Sequence, residues 1–240
     1  MAETASGSWR RGARFVWAIV SIILLETVLL GLAMLPVFGL LHLIWSWSAP
    51  PWLRVALLAF AFVPLYLLFA FALLVYSALA ARLLGWRTPE NVELPLAEFS
   101  WPVLNWGRYL MTIHVVRVFA GPAFRSTTFW SWYMRLNGAR LGRLVWVNSL
   151  ALMDHNLLDF GDGVVIGSDA HVSGHIVERG MLKTARVRLG AGTVIGVGTV
   201  VGIGVQSGAG TQVGPLSVVP KFTQLDAGAS YLGVPVHRLH

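Results

Sequence analysis

The sequence predicts a molecule in two parts: a membrane α-helical hairpin with interfacial helices, followed by an all-β parallel β-helix. Three observations carry this. Of 240 residues, 56% are hydrophobic and only 12% charged, against roughly 25% charged in an ordinary soluble domain. Between Phe15 and Ala81 the only formally charged residues are Glu26 and Arg54. From Leu189 onward an apolar residue followed by a small or turn-forming one recurs every six positions. Together they exclude an ordinary water-solvated globule.

Charge and cysteine content bound the partners. Lys and Arg number 18 and Asp and Glu 11, a net charge of +7. That excess favours phospholipid headgroups or phosphate-bearing cofactors. Nucleic acid is not expected, because no basic run is dense enough to track a phosphate backbone. With no cysteine, disulfides, thiolate zinc sites and cysteine nucleophiles are excluded.

Residues 1–14 form an N-terminal segment and 15–84 the hairpin. Pro50 and Pro51, within Ser46 to Leu53, forbid one continuous helix and divide the interval into spans Phe15 to Trp45 and Arg54 to Leu84. Each exceeds the roughly 20 residues that cross a hydrocarbon core, so Pro36 and Pro64 are expected kink sites. Trp45, Trp47 and Trp52 cluster at the turn, as aromatics do at a membrane interface. Arg10, Arg11 and Arg14 precede the first span and Arg82 and Arg87 follow the second. The positive-inside rule then predicts a multi-pass protein of the inner (plasma) membrane, with both termini and the β-helix cytoplasmic. The first span is too long for a cleaved signal peptide, and no A-x-A site follows it closely. Glu26 is costly to bury in such a span and is expected to hydrogen-bond a neighbouring helix or face a cavity.

Residues 85–138 read as an interfacial helical linker. Ser100 is placed to cap a helix from Trp101 to Phe119. In it Trp106, Leu110, Ile113 and Val116 follow helical spacing, and Arg108, Thr112 and Arg117 supply the polar positions. A second helix is expected from about Phe124 to Leu136, stopped by Asn137-Gly138. Its aromatics Phe129, Trp130, Trp132 and Tyr133 suit either lipid contact or packing on the next domain.

Residues 139–240 hold the repeat. Counting in sixes from Leu189 meets Ile195, Val201, Ser207, Val213, Val219, Leu225 and Tyr231, followed in turn by Gly190, Gly196, Gly202, Gly208, Gly214, Pro220, Asp226 and Leu232. The fifth positions are mostly small or β-branched, Thr193, Thr199, Val205, Thr211 and Ser217 among them. A helix cannot keep that period, whereas short strands of a parallel β-helix can. The register recurs earlier as Leu141, Val147, Met153, Phe160, Ile166 and Val172, with one extra residue between Met153 and Phe160. A longer interruption, Glu178 to Arg188, is expected as a loop thrown out from a corner and lining a binding face.

Repeats of this form, closed by Gly233-Val234-Pro235-Val236-His237-Arg238, resemble the hexapeptide-repeat acyltransferases. The resemblance implies a left-handed β-helix of triangular section and a homotrimer with acyl-donor sites between neighbouring prisms. A narrower one covers most of the chain. The hairpin, the Trp- and Arg-containing linker and Arg135-Leu136-Asn137-Gly138-Ala139-Arg140-Leu141-Gly142 look like one membrane module of the C-terminal region of poly-lysine-type nonribosomal peptide synthetases. Such modules are implied to join amino acids delivered as carrier-bound thioesters, so a carrier protein, a parent peptide synthetase and a trimeric or pseudo-trimeric assembly are the implied partners. His175-Ile176-Val177-Glu178-Arg179-Gly180-Met181 matches the family's His-containing loop. Met153-Asp154-His155-Asn156-Leu157 departs from its usual Thr-Glu-x-Asp-Leu.

Acyl transfer needs an acceptor amine or hydroxyl to lose a proton as it attacks, work that suits histidine. His175 is the expected general base. Glu178, three residues on, is the expected carboxylate that orients it, and backbone N–H groups of the coils would hold the oxyanion. Asp154, His155, Asn156 and His171 are expected to orient the acceptor. Arg179, Lys183, Arg186 and Arg188 concentrate positive charge for the phosphates of an acyl-coenzyme A or phosphopantetheinyl carrier thioester, or for anionic lipid. Although three histidines on this fold invite comparison with hexapeptide carbonic anhydrases, the matching spacing is missing and no metal is expected. Gly190-Ala191-Gly192 and Gly202-Ile203-Gly204 lack the strand-to-helix context of a phosphate loop. The expected function is a membrane-anchored acyltransferase, forming amide or ester bonds from a pantetheine thioester. The alternative is a non-catalytic module that trimerises within a larger synthetase.

Overall fold

An unbroken apolar run can satisfy its backbone polar groups in hydrocarbon only as a helix, and two such helices open the chain. The structure, a computed structural model, describes residues 2–239. Met1 and His240 lie outside it, as do the side chains of residues 1–8, Arg10 and Arg11; of the arginines expected before the first span, only Arg14 is described in full. Helix α1 (Ala2–Ser46) begins well before the expected span, and α2 (Pro51–Leu83) begins earlier because Pro51 fits a first helical turn, whose N–H groups need no helical partner. Pro36 and Pro64 sit inside these helices without ending them. Arg54 Nη1 donates to the Trp45 carbonyl at 3.0 Å across the turn. Leu29 and Ala33 of α1 and Ala70, Leu73 and Leu74 of α2 join the buried core. Both helices are long and apolar enough to cross a membrane, with only 17% and 22% of their most apolar windows buried. Phe38, Phe60 and Phe62 point outward.

The linker holds α3 (Trp101–Phe119), α4 (Gly121–Phe124) and α5 (Thr128–Leu136). Three expectations change here. Ser100 occupies the N-cap position of α3, yet its side chain makes no capping bond and its Oγ is buried without a partner. Arg108 and Thr112, expected on the polar side, are buried. Arg108 Nε donates to Ser21 Oγ of α1 at 2.9 Å, and the guanidinium lies 5.7 Å from the ring centres of both Trp86 and Trp101. The cause is that α3 packs against α1 and α2, so a polar stripe becomes an interface held by a hydrogen bond and cation–π contact. The second expected helix starts later than expected: α5 begins at Thr128, after a break at residues 125–127 where Ser126 has a φ of 62°, and the separate turn α4 precedes it. Trp130 and Tyr133 are buried, while Phe129 and Trp132 pack on Phe71 of α2 with ring centres 5.8 and 6.1 Å away.

From Arg140 the chain winds into a parallel β-solenoid with three strand faces. One stacks Arg140–Leu141, Leu158–Phe160, Val187–Leu189, Gln206–Ser207 and Gln224–Leu225. A second runs from Trp146–Val147 through Val165–Ile166, Val194–Ile195 and Gln212–Val213 to Ser230–Gly233, closed by the antiparallel Val236–Arg238. The third stacks His171–Val172, Val200–Val201 and Val218–Val219. Leu189, Ser207 and Leu225 lie in register, so three sixes make one coil. The aliphatic position of each six points inward: Ile166, Ile195, Val201, Val213 and Val219 are all buried. Glycine follows because coils stack closely, and a Cβ on Gly190 would lie 2.5 Å from the Gly208 carbonyl carbon. The buried hydroxyls of Thr193, Thr199 and Thr211 donate to carbonyls of Gly208, Gly214 and Asp226 at 3.2, 2.9 and 2.9 Å, so their burial leaves no polar group stranded.

The interruption is a hairpin rather than a loop. His175–Glu178 and Met181–Thr184 pair antiparallel around Arg179-Gly180, both at positive φ (51° and 74°), as a two-residue hairpin turn requires. Glu93–Pro95, from the segment before α3, adds a third strand.

Candidate active site

The site lies where both irregularities of the repeat meet. The inward position expected of Met153 is taken by Leu152, which is fully buried and pairs with Val172, so the long step runs from Leu152 to Phe160. A short 3-10 turn, His155–Leu157, takes it up, and Asp154 enters that turn with a φ of 55°. Aspartate tolerates this left-handed corner better than most residues. The corner points the Asp154 carboxylate into the protein, fully buried. Oδ1 accepts from Thr88 Oγ1 at 2.6 Å. Oδ2 accepts from the Gly174 backbone N–H at 3.0 Å and lies 3.2 Å from Ser173 Oγ and 2.6 Å from His175 Nδ1. A Cβ on Gly174 would come within 2.7 Å of Leu157 Cβ, so only glycine lets the hairpin base approach this closely. Burial alone would push Asp154 up; the bonds from His175, Thr88 and Ser173 outweigh it and hold the carboxyl below its usual range.

His175 is thereby oriented. A carboxylate can only accept, so Nδ1 is the nitrogen that carries the proton toward Asp154, and Nε2 is left as the lone-pair base. Trp106 of α3 meets the ring edge-on with centres 5.0 Å apart, and 19% of the imidazole side chain stays open.

Glu178 does not orient His175. Residues three apart in a strand face opposite sides, and Glu178 turns instead to Lys221, 2.5 Å from Nζ, and to Lys183 at 4.0 Å. The Lys221 bond holds Glu178 below its ordinary value. Arg179, Lys183, Lys221 and Glu178 line a cavity of about 410 Å³. Arg186 is held apart from this group by a two-pronged pair with Glu90, Nε to Oε1 at 2.8 Å and Nη2 to Oε2 at 2.7 Å, which holds Glu90 low. Arg188 faces outward beside Asp159. The four expected phosphate-binding residues therefore fall into separate groups.

Of the expected acceptor-orienting residues, His155 is fully buried against Trp130 and Tyr133, whose ring centres lie 6.2 and 5.7 Å away. Burial pushes it down to about 4, so near neutral pH it is an uncharged residue packed between aromatic rings with no open face. Asn156 clamps the backbone of Thr88, Nδ2 donating to its carbonyl at 2.8 Å and Oδ1 accepting from its N–H at 3.2 Å. His171 lies on the outer face of its strand, and partial burial pushes it down. Trp106, Thr88, Ser173 and the Arg117–His114 pair (3.1 Å) on α3 were not singled out for chemistry in the sequence. Apart from Ser173, two residues before His175, they come from distant elements, and only the His175 motif marks the neighbourhood. Glu26 Oε1 is buried without a partner among the described residues.

No protein-family model matches the chain, and no curated protein matches its sequence. Among solved structures it is similar to a hexapeptide-repeat-containing acetyltransferase from Vibrio cholerae O1 biovar eltor, complexed with acetyl coenzyme A (20% identity over 43% of this chain and 60% of that one, TM-score 0.40). It is also similar to the acetyltransferase domain of PglB from Neisseria gonorrhoeae FA1090 (26% identity, 42% of this chain and 43% of that one, TM-score 0.35). A galactoside acetyltransferase in complex with coenzyme A matches at 19% identity over 47% of this chain and 69% of that one, with a TM-score of 0.39. The matched part spans less than two thirds of the first two chains.

Proposed function

We propose that the protein is a membrane-anchored acyltransferase with Asp154 and His175 as its catalytic dyad. The observation that carries this is the 2.6 Å contact between His175 Nδ1 and a fully buried, fully hydrogen-bonded carboxylate. It leaves Nε2 as a fixed base at the foot of a hairpin. In the proposed step Nε2 takes the proton from an acceptor amine or hydroxyl as that group attacks a thioester carbonyl. The C–S bond then breaks, and the departing thiolate receives the proton back from the imidazolium. Arg179, Lys183 and Lys221 are suited to the phosphates of the donor, coenzyme A or a carrier-bound phosphopantetheine. An amine acceptor makes the product an amide, and an aminoacyl donor, as in the synthetase modules the sequence resembles, would make that amide a peptide-type bond.

The coils are read as left-handed and the hairpin as spanning the membrane, with the solenoid cytoplasmic. Outward-facing phenylalanines on helices so little buried support the spanning reading, since water would solvate them poorly. Mass spectrometry of detergent-purified protein with acyl-coenzyme A donors, aminoacyl-pantetheine donors and amine acceptors tests the reading. His175→Ala is expected to lower turnover by about 10²–10⁴-fold, the range of a lost general base; full turnover would refute it.

A second reading, a non-catalytic trimerising module, draws support from an outward ladder of Trp146, Val165 and Val194 on one solenoid face. Trimers by sedimentation together with a His175→Ala variant that matches wild type would favour it.

A further inference from the structure

Arg82 at the end of α2, Arg87 in the segment after it, and Arg140 and Arg186 of the solenoid come from well-separated parts of the chain, yet all line one cavity of about 850 Å³. Among the described residues, Glu90 is the only acidic one lining it. Its pairing with Arg186 leaves three arginines in excess. Arg140 reaches only Asp159, at 3.7 Å, and Arg87 makes no ion pair among the described residues.

One buried atom calls for a ligand. Arg186 is 9% exposed, and while Nε and Nη2 bind Glu90, Nη1 is buried with no partner. A buried donor of a charged group left unmade is costly, and an anionic oxygen in the cavity would satisfy Nη1. The volume exceeds what a bare phosphate fills and lies within the roughly 300–1,000 Å³ of small-molecule sites. Ala81 and Arg82, the last turn of a helix long enough to cross a membrane, form part of the wall, at the level where headgroups would lie.

We propose that this cavity binds a phosphate or diphosphate group, carried on either an anionic lipid headgroup or a soluble phosphate ester. Arginine forks match phosphate oxygens two at a time. His175 does not line the cavity, so this inference does not rest on the acyl-transfer reading.

The test uses the full chain in neutral detergent. Inorganic pyrophosphate is titrated by calorimetry, and phosphatidic acid against phosphatidylcholine is scored by retention in native mass spectra. The Arg87→Gln/Arg140→Gln double variant changes two exposed side chains and leaves the Arg186–Glu90 pair intact; Arg179→Gln in the other basic cavity is the control. Binding of either probe that falls by about tenfold or more in the double variant, the loss expected of charge-assisted hydrogen bonds, and not in the control, supports the proposal. Pyrophosphate binding points to a soluble ester; selective retention of phosphatidic acid alone points to lipid. Binding of neither probe, or a smaller loss in the double variant, overturns it. Acyl transfer is not the readout, so failure here and failure of the dyad remain separate results.

Discussion

The coils from Val187 onward and the coils around residues 152–186 share one architecture and differ in what they bury. The regular coils bury aliphatic side chains and threonine hydroxyls that donate to the neighbouring coil. The interrupted coils bury Asp154, His155 and most of Arg186. Repetition supplies stability in the first region because every six solves the same packing problem. In the second, each buried polar group has its own arrangement: three kinds of donor for Asp154, a carboxylate for Arg186, and none for either nitrogen of His155.

The sharpest way to break that contrast is to remove the charge of one buried group. Asp154→Asn is expected to lower kcat by about 10²–10⁴-fold by releasing the tautomer of His175. Glu178→Gln is expected to leave kcat near wild type, since Glu178 faces Lys221. Side-by-side turnover measurements check both, and equal losses would return the orienting role to Glu178.

Next in size is the regular region. Ile195→Ala should cost about 2–5 kcal/mol of stability, as deletions from a close-packed core do, read as a lowered midpoint in denaturant unfolding.

His155 gives a pH signature. It titrates at about 4 when folded against 6.5 when exposed. Between those values the unfolded chain binds a proton that the folded chain refuses. Its penalty is therefore absent above pH 6.5 and grows as pH falls, reaching on the order of 3 kcal/mol near pH 4. Asp154, held below its usual range, adds a loss of the same sign toward the acid end of that window, one that the wild type and a His155 variant share. His155→Leu should flatten the dependence of Tm on pH from 6.5 to 4 without lowering Tm at neutral pH; an unchanged slope would contradict it. The smallest expected effect is Thr199→Val, about 1 kcal/mol for one lost hydrogen bond to Gly214.

The solenoid was legible because a period of six is incompatible with a helix, and Ile195, Val201 and Val219 lie inside as the period requires. The hairpin helices were legible from apolarity alone. The site was legible only in part. His175 stood out beside the interruption, but the interruption's pairing as a hairpin did not, and that pairing turns Glu178 away. Asp154 was visible as one of several polar residues near the extra position. Its role depends on a left-handed corner and on Thr88, 66 residues away, which carry no local signature. Arg108 misled for a related reason: a helix packed against two others shows the same pattern as one lying at a surface.

A strictly periodic stack resembles a crystal: every corner is equivalent, and none is an address. The long step between Leu152 and Phe160 is its dislocation. There the regular bonding fails, leaving a carboxylate and an imidazole in surroundings that occur nowhere else along the stack. The coils on either side keep their register, so the packing is written in the repeat and the candidate site in the break.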